Sequence, residues 1–234
     1  DVDVVALNNA GKNSNSSFDN AVATKKVFKN GMSYTYVSGQ AWRYWWRETL
    51  QKNHGWDLSP ITRESKIAFT EANPLLYADD DVFGYMKATK EEIVDETGKT
   101  KKVDATVTRV SPLKNSAIIS VGVTRPEENW SSMARQDGDS VPYSKQEYSA
   151  VMKGMFSLDL GQVGTFASYN KTGFKNLTEK GRKEIIEAGG IEIEDKFVKS
   201  QKLVQLPQNT RIKRATDTIK ALKTISGGAM QTNN

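Results

Sequence analysis

Apolar and polar residues alternate at the start of the chain, in "DVDVVAL", and this period of two predicts a strand with one face buried. The run "NNAGKNSNSS", rich in turn formers, predicts a loop after it. "MSYTYV" alternates again with aromatic and β-branched residues and predicts a short strand. From residue 38 to about 53 the apolar spacing lengthens to three to five. Ala41, Trp42, Trp45, Trp46 and Leu50 then share one side of a helix. "SPITRESK" predicts a loop, and "AFTEANPLLYADDDVFGYM" a segment with short helical turns. "EEIVDETGKTKKVDATVTRV" predicts a hairpin that turns at Glu-Thr-Gly-Lys. "SAIISVGVT" reads as a central strand, "SKQEYSAVMKGM" as a helix and "FSLDLGQVGTFASY" as another strand, with a mixed hairpin-like region over about 165–205. A final helix runs from Arg211 to Ile225, where Ile212, Ala215, Ile219 and Leu222 recur at three and four as an apolar stripe. Strands and helices interleave without a βαβ rhythm, so the fold class expected is α+β with an antiparallel sheet.

Composition narrows the chemistry. The 234 residues suit one large domain or one domain with insertions. The absence of cysteine excludes disulfides and thiolate metal sites and fits a reducing cytoplasm. The one histidine, His54, is expected on the surface at the end of the first helix, and it leaves little room for a zinc site or histidine acid–base chemistry. No apolar run is long enough to span a bilayer, so no membrane partner is expected. These features argue against most enzyme classes, and no cofactor is expected.

The net charge of +5 is unevenly placed. Lys196, Lys199, Lys202, Arg211, Lys213, Arg214, Lys220 and Lys223 face one acid, Asp217, which makes that segment +7 and leaves the remainder at −2. A clustered positive field favours a polyanion such as nucleic acid over a small acidic metabolite. A solvated basic face is the plain alternative.

The first helix sharpens the picture. With Ser38 as N-cap and Gly39 as the first helical residue, the amides of that turn form an anion site. Gln40, Arg43 and Arg47 follow at three and four and line a polar row away from the tryptophans. That arrangement suits phosphate contacts, although solvated arginines beside core tryptophans would give the same pattern. Asp79, Asp80 and Asp81 resemble a metal cluster, but three consecutive side chains diverge and seldom hold one ion. A capping or subunit-contact role is the favoured expectation for them, with Phe83, Tyr85 and Met86 packing in a core or at an interface.

Five short pieces, "NNAG", "VSGQAWR", "DDDVFGYM", "RVSPLK" and "ISGGA", occur in this order from Asn8 to Ala229. In this the chain resembles the backbone subunit of type I CRISPR surveillance complexes (Cascade). This is the "Cas-seven" family of the RAMP superfamily, and the resemblance is closest to its DevR-like type I-B branch. The resemblance implies an RRM-like (ferredoxin-like) palm with an antiparallel sheet, an inserted fingers region and a thumb β-hairpin. The corresponding division is palm over 1–59, fingers over 60–110, palm over 111–164, thumb over 165–205 and palm again over 206–234. It further implies a cytoplasmic, prokaryotic, non-catalytic protein that polymerises head to tail along a CRISPR RNA and presents its bases to target DNA. The partners implied are that RNA, target DNA, further copies of the chain and other subunits of the complex. The RNA-binding positions carried over are Asn8, Asn9, Ser38, Gly39, Arg43, Arg109, Ser111, Lys114, Gly227 and Gly228, while Gln40 and Arg47 join them by helix geometry. The glycines would let the backbone approach RNA closely, with Gly227 also serving as C-cap of the last helix. A metal-dependent ribonuclease resembling the type III relatives, using one of Asp79 to Asp81, is the alternative. An unrelated RRM-like single-strand binder is disfavoured, since "SAIISVGVT" lacks an RNP-type aromatic run.

Overall fold

The structure is a computed structural model that describes residues 1–13, 21–64, 67–94, 100–133, 139, 141–171 and 173–228. It is a mixed α+β chain with several small sheets and few helices. Two compact units are distinguishable. The first comprises Asp1–Thr49, Asn115–Phe156 and Thr224–Asn234, and the second Leu50–Lys114 and Ser157–Lys223. No helix among the described residues is long and apolar enough to cross a membrane.

In the first unit, one sheet runs in the order Val2–Val5, Val141–Ala150, Ala21–Thr24, Asn9–Lys12, with Glu127–Met133 also paired to Val141–Ala150. The pairing is antiparallel except between Val141–Ala150 and Ala21–Thr24, which is parallel. A second sheet is antiparallel throughout and joins Lys26–Lys29, Met32–Val37, Ile118–Ser120 and Met152–Lys153. Its first hairpin turns at Asn30-Gly31, whose φ angles of 52° and 74° are those a two-residue hairpin turn demands. The strand Met32–Val37 feeds helix α1, Gly39–His54. Along it Trp42, Trp46 and Leu50 are buried, as the spacing predicts. Trp42 and Trp46 stack with centroids 5.3 Å apart, and Phe156 meets Trp46 edge-on at 5.4 Å.

The helix expected over 144–155 is not there. Val141–Ala150 is a strand, and Met152–Lys153 continues in the other sheet. Tyr148, Val151, Met152 and Met155 recur at helical spacing, yet Tyr148 is buried while Val151 is 57% and Met155 69% exposed. Pairing with three other strands decided the conformation, and strand neighbours routinely override local preference in this way. The strand expected over "SAIISVGVT" is confined to Ile118–Ser120.

The second unit contains the hairpin Ile61–Glu64/Ile67–Thr70 and the long hairpin Tyr85–Val94/Thr100–Arg109. The latter is the predicted hairpin, begun earlier than its sequence suggests. Its turn, residues 95–99, lies outside the described residues. The segment expected to carry helical turns holds the strand Ile67–Thr70 and a single short helix, α2, Ala78–Phe83. "FSLDLGQVGTFASY" divides into Phe156–Leu158 and Thr165–Phe166 with a turn between. Thr165–Phe166, Lys202–Gln205 and Ile191–Glu194 form an antiparallel sheet, beside which run helices α3, Glu179–Glu187, and α4, Gln208–Lys220. Thr178 caps α3, its hydroxyl accepting from the amide of Gly181. Phe166, Leu177, Ile185, Val204 and Leu206 make the core here, with Leu75 against it.

Helix α4 ends at Lys220, followed by a 3₁₀ turn, Ala221–Lys223, rather than running on to Ile225. Its buried face is also not the predicted one. Ile212 and Ile219 are 54% and 48% exposed, whereas Arg214, Thr218 and Ala221, at spacings of four and three, are buried. The reason is electrostatic: Arg214 reaches Asp81 at 3.0 Å, and that ion pair sets which side of α4 faces inward.

Candidate nucleic-acid interface

Nine of the twelve candidate residues fall in the first unit: Asn8, Asn9, Ser38, Gly39, Gln40, Arg43, Arg47, Gly227 and Gly228. The start of α1 is built as the sequence predicts. Buried Val37 ends its strand, and Ser38 turns the chain into the helix. The Ser38 hydroxyl accepts from the Ala41 amide at 3.4 Å, and its carbonyl accepts from the same amide at 3.0 Å and from Trp42 at 3.4 Å. No acidic residue stands in the first turn, so the positive end of the helix is not neutralised by its own carboxylate. Gln40 is exposed, and Arg43 and Arg47 are half-buried.

Asn115 ties this turn down, and sequence reasoning missed it. Its Nδ2 donates to the Gly39 carbonyl at 2.9 Å, and its Oδ1 accepts from Arg43 Nη1 at 2.9 Å. Trp42 Nε1 donates to the neighbouring Ser116 carbonyl at 2.7 Å. The one signal available was position, since Asn115 directly follows "RVSPLK". Burial lowers the pKa of Arg43, and Asn115 orients its guanidinium.

The glycine pair is not a helix stop, because three residues, Thr224 to Ser226, separate Gly227 from the end of the 3₁₀ turn at Lys223. The backbone of Gly227 instead lies against the half-buried indole of Trp45. A Cβ there would fall 2.0 Å from Trp45 Cδ2, so any side chain would collide with the ring. Gly228 is half-buried beside it, and Ala229 lies outside the described residues. Asn9 begins a strand paired to Thr24. The Asn8 carbonyl accepts from the Lys25 amide at 3.0 Å, and the Lys25 carbonyl accepts from Tyr36, two residues before Ser38. The side-chain Oδ1 of Asn8 is buried and, among the described residues, has no hydrogen-bond partner.

Arg109, Ser111 and Lys114 lie in the second unit. Arg109 is 4% exposed, and its guanidinium is consumed internally. Nη2 donates to Asp81 Oδ1 at 2.6 Å and to the Gln162 carbonyl at 2.7 Å, Nη1 to the Thr165 carbonyl at 2.7 Å and Nε to the Asp81 carbonyl at 3.2 Å. The plane also lies 4.4 Å from the Phe166 ring centre. Ser111 Oγ sits between the carbonyls of Val82 and Leu113, at 2.7 and 2.5 Å. Gly84, at φ 81°, lets this segment pass close, since a Cβ would stand 2.4 Å from the Arg109 carbonyl oxygen. Thus "DDDVFGYM" and "RVSPLK" are two halves of one structural knot. Only Lys114 of the three is exposed.

The three aspartates belong to that knot. They diverge, but neither to a cap nor to an outer surface, since all are at most 2% exposed. Asp79 accepts from the Ser59 amide at 3.0 Å and Asp80 from the Asn73 amide at 2.9 Å. Asp81 accepts from Arg109, from the Gly164 amide at 2.8 Å and from Arg214 Nη1 at 3.0 Å. Burial raises the pKa of Asp80. Tyr85 is buried, whereas Met86 is 67% exposed. Among the described residues no group of three histidines or carboxylates is placed to hold a metal ion.

The basic segment is partly spent in the same way. Arg214 pairs with Asp81, Arg211 Nε donates to the Val163 carbonyl at 2.8 Å, Lys202 lies 3.2 Å from Glu192 and Lys213 2.5 Å from Asp217. Lys196, Lys199, Lys220 and Lys223 remain exposed. His54 is not a free surface residue: its Nδ1 lies 3.6 Å from Asp217, which also accepts from Trp56 Nε1 at 3.0 Å.

Comparison with protein families finds one model, described as CRISPR-associated negative auto-regulator DevR/Csa2, that matches residues 2–234. Among curated proteins no match is found.

Proposed function

Because the chain belongs to the DevR/Csa2 CRISPR-associated family, we propose that it is an RNA-binding backbone subunit of a CRISPR surveillance complex. In this reading the first unit is the counterpart of an RRM-like palm. It holds the sugar-phosphate backbone of a guide RNA at the start of α1 and leaves the bases to pair with target DNA. Further copies of the chain follow head to tail along the guide in a prokaryotic cytoplasm, alongside the other subunits of the complex.

The observation that carries this reading is the start of α1. A helix N-terminus free of its own acids lies beside the Arg43 guanidinium, oriented by Asn115, and is anchored from behind by stacked Trp42 and Trp46. Amide donors supply a fixed positive field, and the arginine supplies a charge that needs no proton exchange. The role proposed is holding, not cutting. The aspartates a nuclease would need are already engaged by amides and arginines.

The test is RNA binding measured across salt concentration. Each phosphate neutralised contributes roughly −0.7 to the slope of log affinity against log salt for a single strand. A steep slope, little sequence preference and intact RNA after incubation with magnesium are expected. A flat slope, or cleavage of matched RNA, would overturn the proposal.

A further inference from the structure

The second unit holds a cleft of about 660 Å³ that the guide-binding reading does not use. This is within the usual size of a small-ligand site, roughly 300–1,000 Å³. Its wall is apolar where Phe174, Ile193 and Leu203 line it, all of them only half-buried. At its edge stands Phe197, 87% exposed, the most exposed large apolar side chain among the described residues.

Phe197 is not on a slack loop. Buried Asp195 accepts from the amides of Phe197 at 2.8 Å and Val198 at 3.4 Å, forming a tight turn. The same carboxylate is held from behind by the Tyr169 hydroxyl and the Lys171 ammonium. That ammonium lies 5.3 Å from the centre of the Phe197 ring. Four hydrogen bonds thus keep an aromatic ring in water at the mouth of an apolar cleft, an arrangement that folding alone does not require.

The interior of the cleft carries no excess of positive charge. Lys171 and Arg211 are matched by Asp159, Glu194 and Asp195, and buried Arg109 is paired with Asp81, while exposed Lys196 stands at the rim. A neutral planar group therefore fits the interior better than a free phosphate does. Just outside, exposed Lys196 and Lys199 flank Phe197 and supply unbalanced positive charge. Gln205, whose Nε2 donates to Thr165 Oγ1 at 2.9 Å, brings a polar amide to the floor for an edge that can hydrogen-bond.

We propose that this cleft takes an unpaired nucleobase of a single-stranded nucleic acid, stacked on Phe197, with Lys196 and Lys199 meeting the adjoining phosphates. Stacking beside cations is how strands are gripped without sequence readout. A protein aromatic side chain would fill the same space but leave the two lysines with nothing to neutralise. The inference rests on the nucleic-acid reading above but concerns a different surface.

The test uses the full chain and 2-aminopurine ribonucleoside, whose fluorescence is quenched on stacking. Saturable quenching is expected, weakened about fivefold to a hundredfold by Phe197→Ala, the span that loss of one stack gives. Phe197→Tyr should restore it, and ribose 5-phosphate should not compete. Equal binding by Phe197→Ala would overturn the proposal, and so would tighter binding of N-acetyltryptophanamide at the same site, which would assign the cleft to a protein partner. A single-stranded oligonucleotide titrated in parallel separates the two readings. Oligonucleotide binding with an inert cleft removes only this inference, and nucleoside binding without oligonucleotide binding removes only the guide-binding reading.

Discussion

The knot around α2 and the start of α1 carry the same kinds of residue to opposite ends. In the knot, Arg109 and Arg214 converge on Asp81 and all three are at most 5% exposed. At the start of α1, Arg43 is half-buried, held by a neutral asparagine, and no carboxylate stands in the turn. An arginine in a recurring motif is thus no evidence of a phosphate contact. What matters is whether its charge is cancelled inside the protein. Arg109 meets the Asp81 carboxylate and three backbone carbonyls deep in the second unit, so it is structural; Arg43 is only half-buried and is oriented by a carboxamide beside the start of α1.

The largest expected effect lies in the knot. Asp81→Ala strands two buried guanidinium groups and should cost about 3–5 kcal/mol, read as a lowered urea midpoint. If stability is unchanged, the ion pairs are not what holds the second unit together and the contrast fails. For the same reason a triple replacement of Asp79, Asp80 and Asp81 would report on folding before it reported on any cleavage.

Asp195 is a second internally spent charge in that unit. Burial alone would raise its pKa, but hydrogen bonds from Lys171 and Tyr169 outweigh it and hold the carboxyl well below the usual range. With the folded value depressed, its stabilisation is fully present above the unfolded pKa of about 3.9 and is lost as pH falls toward the folded value. Asp195→Asn should cost about 1.5–3 kcal/mol at neutral pH. It should also flatten the loss of stability below about pH 4, as measured by denaturant unfolding at a series of pH values.

In the first unit, Gly227→Val forces the backbone off the Trp45 ring and should cost about 1–3 kcal/mol as overpacking. A shift in tryptophan emission should accompany it. Unchanged emission would show that the glycine pair does not depend on this packing.

Arg43→Ala sharpens the contrast most directly. Loss of its bond to Asn115 should lower stability by only about 0.5–1.5 kcal/mol. The salt slope of RNA binding should fall by roughly 0.7. The reverse result, a large stability loss with an unchanged slope, would move Arg43 into the same class as Arg109. The smallest effect is expected at Lys220→Ala, an exposed cation on α4, with no measurable stability change and at most the same roughly 0.7 in slope.

Much of the first helix was legible beforehand. Its cap, its first residue and its buried tryptophans follow from rules that span one or two turns. The hairpin Tyr85–Arg109 was legible for the same reason, and the Asn30-Gly31 turn carried an equally local signal that the sequence reading passed over. Asn115 was not legible, because its partners Gly39 and Arg43 are 76 and 72 residues away. The strand Val141–Ala150 was misread because its alternation is weak and its conformation depends on three partner strands.

The sequence by itself determined the family, through five short pieces in order, and the local elements whose signals close within a few residues. It also excluded thiol chemistry and left a single histidine. Only the tertiary structure decided which charges are spent. Asp81 selects Arg109 across 28 residues and Arg214 across 133, and in doing so it turns α4 so that Ile212 and Ile219 face out and Thr218 faces in. Burying a charge is so costly without a partner that one long-range ion pair overrides an apolar stripe, and no periodicity in the chain records that choice.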